Sequence, residues 1–415
     1  MVKPKVIIIG GGPAGTMTAL ALAHLRPELA PDVLLLDARS FPREKVCGGG
    51  ISGRVVTFLD EMGVALQGLA KVPVKGFEIF FAQERFHVPF ANDKCFVIRR
   101  STFDDYLLQA VRERGVEVRT PLAAAGAYRE RDRMAVLDGK GVVHHCQILV
   151  GADGVNGRSR LWFGRPHRSR KTLLLQTDFP RHPDAPPLDD SLVLDFTARR
   201  FGRAGYAWFF PSVDAEGAPV VNAGICGGPF AAGSIRQSRE IFMTILDAHP
   251  EIKNMANEKL HFRPYPEQDF SPFSNYAGER VLLVGEQLGV DAFTGEGLGI
   301  CAASAAAAAQ EIVTALETEN YSFTGYLKRL LLSDFFPLYL IGRPYWLESP
   351  SSQPSVFFSM ATRKAHPESE NILEIYGKIF SGVVPGRKVF SPYFVKPLLR
   401  DLPPVLVRRL LPGQR

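Results

Sequence analysis

The chain opens on a short run of β-branched residues, Val6-Ile-Ile-Ile9, with no polar position in it. An unbroken apolar run of that length is the pattern of a strand covered on both faces, as in a parallel sheet. Glycines follow, then an apolar helical pattern from Met17 to Leu25, then Val33-Leu-Leu-Leu-Asp37. Strand, helix and strand in that order predict a βαβ unit. From about Phe77 to Val97 apolar and polar residues alternate, which predicts antiparallel strands. Thr102 to Arg114 has helical spacing, with Ser101 or Thr102 as the expected cap and Asp104-Asp105 expected in the first turn. Val142 to Val150 returns to strand character and ends at Gly151-Ala-Asp-Gly154. Further strands are predicted at Ser191–Phe196, Tyr206–Phe210 and Val220–Ile225, a helix near 234–248, a buried strand at Val281–Val284 and a helix from Gly297 to Leu316. The last hundred residues read as helical and irregular, with many prolines.

A chain of 415 residues is long for one core, so two or three compact units are expected. With 46% hydrophobic and 22% charged residues it reads as an ordinary globular protein. The 49 basic and 43 acidic residues leave a net charge of +6, which mildly favours anionic partners. The basic residues form no long tract, so nucleic acid is not an expected partner. Cys47, Cys95, Cys146, Cys226 and Cys301 are scattered, odd in number and without CxxC spacing, which speaks against a disulfide framework or a metal site. Free thiols suit a reducing cytoplasm, the expected location. Met1-Val-Lys-Pro-Lys runs straight into a strand and leaves no room for a signal peptide. No apolar stretch is expected to span a bilayer: the run Ala302–Ala309 is short and ends in Gln310-Glu311.

Three separated glycine-rich motifs carry the chemistry. Gly10-x-Gly12-x-x-Gly15 lies between a strand and a helix: Gly10 permits the tight turn, Gly12 lets backbone approach a pyrophosphate, and Gly15 allows close helix–strand packing. The helix N-terminus offers amides to the phosphates. Asp37, 22 residues after Gly15, ends the second strand and is placed to accept from an adenosine ribose. Gly151-Ala-Asp153-Gly154-Val-Asn-Gly157-Arg-Ser-Arg160 ends a strand. Gly285-Glu286-Gln-Leu-Gly289-Val-Asp291-Ala-Phe-Thr294-Gly295-Glu-Gly297 joins a strand to a long helix. A carboxylate after that strand suits ribityl hydroxyls, and the Gly295–Gly297 turn brings helix amides toward a flavin ring. Together the three motifs call for FAD.

In these motifs the chain resembles the flavoprotein family with the p-hydroxybenzoate hydroxylase fold. Arg100-Ser-Thr-Phe103-Asp104 with Leu107 is similar to that family's helix-opening segment, whose arginine lies near flavin and phosphates. Lys45-Val-Cys47-Gly48-Gly49-Gly50-Ile-Ser52 and Tyr206-Ala-Trp208-Phe-Phe210-Pro211 resemble its geranylgeranyl reductase branch. The resemblance covers roughly residues 1–316. It implies an α/β fold: a Rossmann-like FAD-binding domain at 1–75, 99–168 and 276–320, an inserted antiparallel-sheet substrate domain at 76–98 and 169–275, and a helical C-terminal region at 321–415. It also implies cofactor contacts from Gly10, Gly12, Pro13, Ala14, Gly15, Asp37, Ala38, Arg39, Lys45, Cys47, Gly48, Gly49, Arg100, Asp153, Gly154, Gly285, Glu286, Gly289, Thr294, Gly295, Gly297 and Leu298. The chain departs from the family at Glu286, where an aspartate is usual, and at Gly157, where a serine is common.

Cys47, Tyr206 and Trp208 are the candidate catalytic residues. By resemblance Cys47 passes beside the flavin, where a thiol can donate a proton or hold substrate, with backbone amides near enough to favour its thiolate. Tyr206, Trp208 and Phe210 alternate with Ala207 and Phe209, so they share one strand face and offer an apolar wall with a phenol and an indole N–H to orient a substrate. Lys45 either pairs with a phosphate or is solvated, while His144 and His145 lie on an expected edge strand and read as surface residues. No second GxGxxG provides a nicotinamide domain, so NAD(P)H docks transiently, or a separate reductase or ferredoxin supplies electrons. The expected activity is reduction of carbon–carbon double bonds in a hydrophobic, isoprenoid-like substrate by flavin hydride. The alternative is a monooxygenase or halogenase working through a flavin hydroperoxide on an aromatic, carrier-bound or peptide substrate, and a third reading is a flavoprotein chaperone. The tail Lys388–Arg415 interleaves basic and large apolar residues, the composition of a peripheral membrane contact, although five prolines oppose one continuous helix.

Overall fold

A computed structural model of the chain describes residues 4–81, 84–164, 167, 171–181, 190–203, 205–229, 234–256, 259–291, 294–333, 362 and 370–385. Its centre is a six-stranded sheet in the order Ala277–Gly278, Val281–Leu283, Ile148–Gly151, Val6–Ile9, Val33–Leu36 and Glu117–Arg119. All neighbours run parallel except the edge pair Ala277–Gly278 and Val281–Leu283. Val6–Ile9 is buried along its whole length because helices cover one face of the sheet and a three-stranded meander, with Ala127, Met134 and Val136, covers the other, so its sequence can carry no polar alternation. Two helices, Pro13–Leu25 and Gly297–Thr318, pack against each other on this sheet, and their alanines and small residues allow the close approach. The second of these is long and apolar enough to cross a bilayer, contrary to the expectation from the shorter alanine run. Some 67% of its apolar stretch is buried within the fold, the pattern of a core helix.

A seven-stranded sheet stands against this unit in the order Arg263–Gln268, Lys171–Pro180, Pro219–Pro229, Ala207–Val213, Ser191–Asp195, Gly76–Phe81 and Glu84–Pro89. It joins strands near residue 80 to strands beyond residue 170, and its two faces carry separate apolar cores. One face holds Phe77, Ile79, Leu192, Leu194, Tyr206 and Trp208 beneath the late helix Ile372–Phe380. The other holds Ala207, Phe209, Val221 and Ile225 beneath the helix Ser234–Asp247. The strict period of two along a strand produces this division.

Several expectations are corrected. The helix expected from Thr102 spans Arg100–Glu113; Arg99 is its N-cap, no side chain caps it, and its first turn holds no acid. Asp104 instead pairs one turn back with Arg100, whose Nε and Nη2 lie 2.7 and 3.1 Å from its two oxygens. The stretch Val142–Val150 is two strands: Val143–Cys146 edges a three-stranded meander, and Ile148–Gly151 enters the central sheet. His144 and His145 do lie on that edge, but each meets a carboxylate, Asp138 at 2.8 Å and Glu130 at 3.3 Å. These acids come from the neighbouring strands across the meander, which local spacing does not reveal. The tail Lys388–Arg415 lies outside the described residues.

Candidate cofactor and substrate site

Gly10 has φ +114°, and a Cβ there would lie 2.3 Å from the Ala152 carbonyl oxygen, so only glycine fits between the two central strands. A Cβ on Gly15 would come within 1.9 Å of the Gly10 carbonyl oxygen, which fixes the approach of helix to strand. Gly12 is the N-cap of Pro13–Leu25; no side chain caps this helix and no acid sits in its first turn. Its terminal amides and dipole are therefore open to an anion. Asp37 accepts from Gly11 N at 2.7 Å and Arg39 N at 2.8 Å, bonds that lock its carboxylate at the mouth of the second strand.

Lys45 lines the site and pairs with a carboxylate and a ring. Its Nζ lies 3.1 Å from Glu286 Oε1 and 3.6 Å from the centre of the Tyr265 ring, while Tyr265 donates to Glu286 Oε2 at 3.0 Å. Burial pushes the Glu286 carboxyl up, but Lys45 and Arg100 outweigh it and hold the group below its usual value. The longer side chain of Glu286, relative to aspartate, is what these two partners engage. In the second motif Asp153 accepts from Gln287 Nε2 at 2.7 Å and from Ser159 N at 2.9 Å. Gln287 also donates to the Gly154 carbonyl at 2.9 Å, so the second and third motifs are tied directly. A Cβ on Gly157 would lie 2.2 Å from Asp153 Cγ, which explains why a serine is missing at this position.

The loop through Cys47 is held from the seven-stranded sheet. Cys47 N donates to Gln176 Oε1 at 2.8 Å, and its carbonyl accepts from Asn222 Nδ2 at 3.0 Å. Asn222 Oδ1 in turn accepts from Trp208 Nε1 at 2.9 Å. Trp208 lies between two glycines: a Cβ on Gly224 would be 2.2 Å from its ring, and one on Gly48 would be 3.4 Å from Nε1 and 2.8 Å from the Phe210 ring. Tyr206, Trp208 and Phe210 do share one face, which lines the site. Their polar ends are not offered to a substrate, however. The Tyr206 hydroxyl donates to the Thr294 carbonyl and the Trp208 indole to Asn222, so both act as braces for the flavin-motif loops. Cys47 is half-buried, with Sγ 3.4 Å from Gly49 N.

These parts enclose one continuous cavity of about 630 Å³. That lies within the range of about 300–1,000 Å³ usual for cofactor and ligand sites. Of the expected cofactor residues, all line it except Gly15, Gly285 and Gly289. Those three serve backbone packing: Gly285 sits against Ala14, and a Cβ on Gly289 would lie 2.3 Å from Phe270 N. The cavity runs on to Phe77, Leu192, Leu194, Trp208, Phe210 and Phe380, an apolar end beside a polar one. The donor set fits FAD: an uncapped helix end and Arg43 for pyrophosphate, Asp37 for a ribose, Glu286 and Asp153 for hydroxyls, and the Gly295–Gly297 turn for a ring edge. Arg43, Tyr265, Glu267 and Phe380 were not legible as site residues. Only Tyr265 and Glu267 left a signal, as alternate positions on one strand.

Residues 3–286 match the family model for the FAD binding domain. The chain is 23% identical over 347 residues to digeranylgeranylglycerophospholipid reductase 2 of Methanosphaera stadtmanae, covering 80% of this chain and 84% of that protein. Among solved structures, a geranylgeranyl bacteriochlorophyll reductase-like protein of Thermoplasma acidophilum has a TM-score of 0.70 at 19% identity, with 96% of this chain and 99% of the other covered. The flavin-dependent brominase Bmp2 gives a TM-score of 0.73 at 16% identity, covering 96% and 98% of the two chains. At these identities the two structures share the fold with this chain.

Proposed function

Because the chain belongs to the FAD-binding domain family and is an FAD-dependent oxidoreductase, we propose that it reduces carbon–carbon double bonds of a hydrophobic, isoprenoid-like substrate. The observation that carries this reading is the apolar end of the cavity, walled by Phe77, Leu192, Leu194, Trp208, Phe210 and Phe380, opening directly onto the cofactor motifs. A hydrocarbon gains from leaving water at about 25 cal/mol per Å² of buried apolar surface, and such a wall supplies that burial. A sugar or amino acid would meet few partners there, since the phenol and indole of the wall are already bonded.

When bound, FAD supplies the two-electron carrier. The chain's own residues then have distinct tasks. The end of Pro13–Leu25 and Arg43 hold the diphosphate, Asp37 orients a ribose, and the Lys45–Glu286–Tyr265 cluster fixes the polar middle of the cavity. Trp208 and Asn222 keep the Cys47–Gly49 loop closed against water. NAD(P)H docking transiently, or a separate reductase or ferredoxin, delivers the electrons.

The test is anaerobic single turnover. The flavoprotein is reduced chemically, mixed with a polyprenyl lipid, and followed by flavin absorbance and mass spectrometry. Reoxidation without oxygen, with a gain of two hydrogens in the lipid, supports the reading. Reoxidation only on adding oxygen, with a hydroxylated or halogenated product from an aromatic or carrier-bound substrate, would replace it with the oxygenase class.

A further inference from the structure

Saturating a double bond requires a hydride on one carbon and a proton on the other; besides the Cys47 thiol, which accepts from Gly49 N at 3.4 Å, the wall offers no free donor. The wall residues are committed: Tyr206 donates to a carbonyl and Trp208 to Asn222. One acid in the cavity remains. Glu267 lies on the strand Arg263–Gln268 and lines the cavity between its polar and apolar ends. Its carboxyl makes no hydrogen bond or ion pair among the described residues. Its Oε1 lies 3.3 Å from the point a Cβ on Gly295 would occupy, and the Tyr206 hydroxyl lies 3.1 Å from the same point. Gly295 begins the turn that the third motif assigns to the flavin ring, so Glu267 faces the place where redox chemistry happens.

Resting on the reductase reading above, we infer that Glu267 is the catalytic acid, protonating one carbon of the double bond while the reduced flavin cofactor delivers hydride to the other. The balance closes. The substrate gains one hydride and one proton, the flavin is oxidised by two electrons, and Glu267 is left as a carboxylate to be reprotonated from solvent through the cavity mouth. The surroundings keep this acid protonated until it is needed. Burial is the main cause, and Asp269, Glu286 and Asp291 add to it, while Lys45 opposes; together they push the carboxyl up to about 8. Tyr206 and Cys226 are the other titratable groups near it, and both are themselves pushed up by burial. A neutral carboxylic acid near pH 7 in an apolar cavity is the state a proton donor needs.

The experiment uses FAD-loaded wild type and the Glu267→Gln and Glu267→Asp variants. First, the flavin absorbance spectrum is titrated with pH in the absence of substrate. A titration with midpoint about 8 in wild type, absent in Glu267→Gln and retained in Glu267→Asp, is expected. A midpoint unchanged in Glu267→Gln overturns the assignment of the ionising group. Second, anaerobic reoxidation by a polyprenyl lipid is timed. Wild type should slow above pH about 8, and Glu267→Gln should be slower by about a hundred- to ten-thousand-fold at unchanged FAD content, with partial recovery in Glu267→Asp. Equal rates in wild type and Glu267→Gln overturn the proton-donor role. If wild type is not reoxidised by any polyprenyl lipid, the reductase reading falls and this role with it, while the spectral titration still reports where Glu267 ionises.

Discussion

Two glycines of the first motif, Gly15 and Gly12, should fail in different ways when given a methyl group. In Gly15→Ala the new Cβ would stand 1.9 Å from the Gly10 carbonyl oxygen, 3.1 Å from the Gly10 carbonyl carbon and 3.2 Å from Ile8 Cγ2. Gly10 cannot retreat, because its N–H is bonded to Leu36 O at 2.8 Å and its φ of +114° is closed to other conformations of that turn. Gly to Ala inside a helix ordinarily stabilises by about 0.4–1 kcal/mol. Overpacking a rigid site costs about 1–3 kcal/mol, and a clash with backbone belongs at or above the top of that range. The clash wins, by about 2 kcal/mol or more. In Gly12→Ala the Cβ meets only the flexible end of Arg43, at 3.2 Å, and φ is −74°. The loss of a glycine N-cap costs less than about 1 kcal/mol. Denaturant melts of the two apoproteins, with FAD titrations by fluorescence quenching, separate the cases. Gly15→Ala should melt early, whereas Gly12→Ala should fold nearly as well as wild type and bind FAD at least about tenfold more weakly, or about 1.4 kcal/mol. Wild-type stability in apo Gly15→Ala, or wild-type affinity in Gly12→Ala, would refute the placement of the motif.

Asp37→Ala should weaken FAD binding by about 1–3 kcal/mol, the cost of removing a charged hydrogen-bond acceptor; an unchanged dissociation constant in the same titration would move the ribose contact elsewhere. Trp208→Phe keeps an aromatic ring but strips Asn222 Oδ1 of its indole donor, so stability should fall by about 1–3 kcal/mol and the substrate KM should rise, with FAD content unaltered. Should KM stay at its wild-type value, Trp208 is core packing alone. Cys47→Ser should keep FAD and change turnover with substrate; wild-type kinetics would make residue 47 a spacer in the loop.

The cofactor end of the site was legible because each motif is local. Gly10, Gly12, Gly15 and Asp37 announce themselves by spacing, and a strand as apolar as Val6–Ile9 has few alternatives to a buried parallel neighbour. The shared face of Tyr206, Trp208 and Phe210 was legible for the same reason, since a period of two is a local property. What the pattern could not give is what each polar end meets. Asn222 reaches Trp208 through cross-strand register, and Glu286 reaches Lys45 across 241 positions of chain. Glu267 reads as one more surface acid until the fold turns its strand face inward. The helix Ile372–Phe380 has helical spacing, yet nothing in it names the sheet face it covers.

That helix bears on how the molecule can be cut. The Tyr376 hydroxyl lies within hydrogen-bond distance of Thr294 Oγ1, at 2.6 Å, and of Asp291 Oδ2, at 3.1 Å, while Phe380 meets Phe77 with ring centres 4.8 Å apart. The segment matched by the family model ends at residue 286, and the long core helix ends at Thr318. A truncation after Thr318 would keep every glycine motif and still sever the cofactor loop from its clamp and unroof the apolar end of the cavity, while one at residue 286 would also cut away most of the third motif. The portion of the chain that looks most like a flavin-binding module is thus not a transplantable one, and any chimera must carry its far helix along.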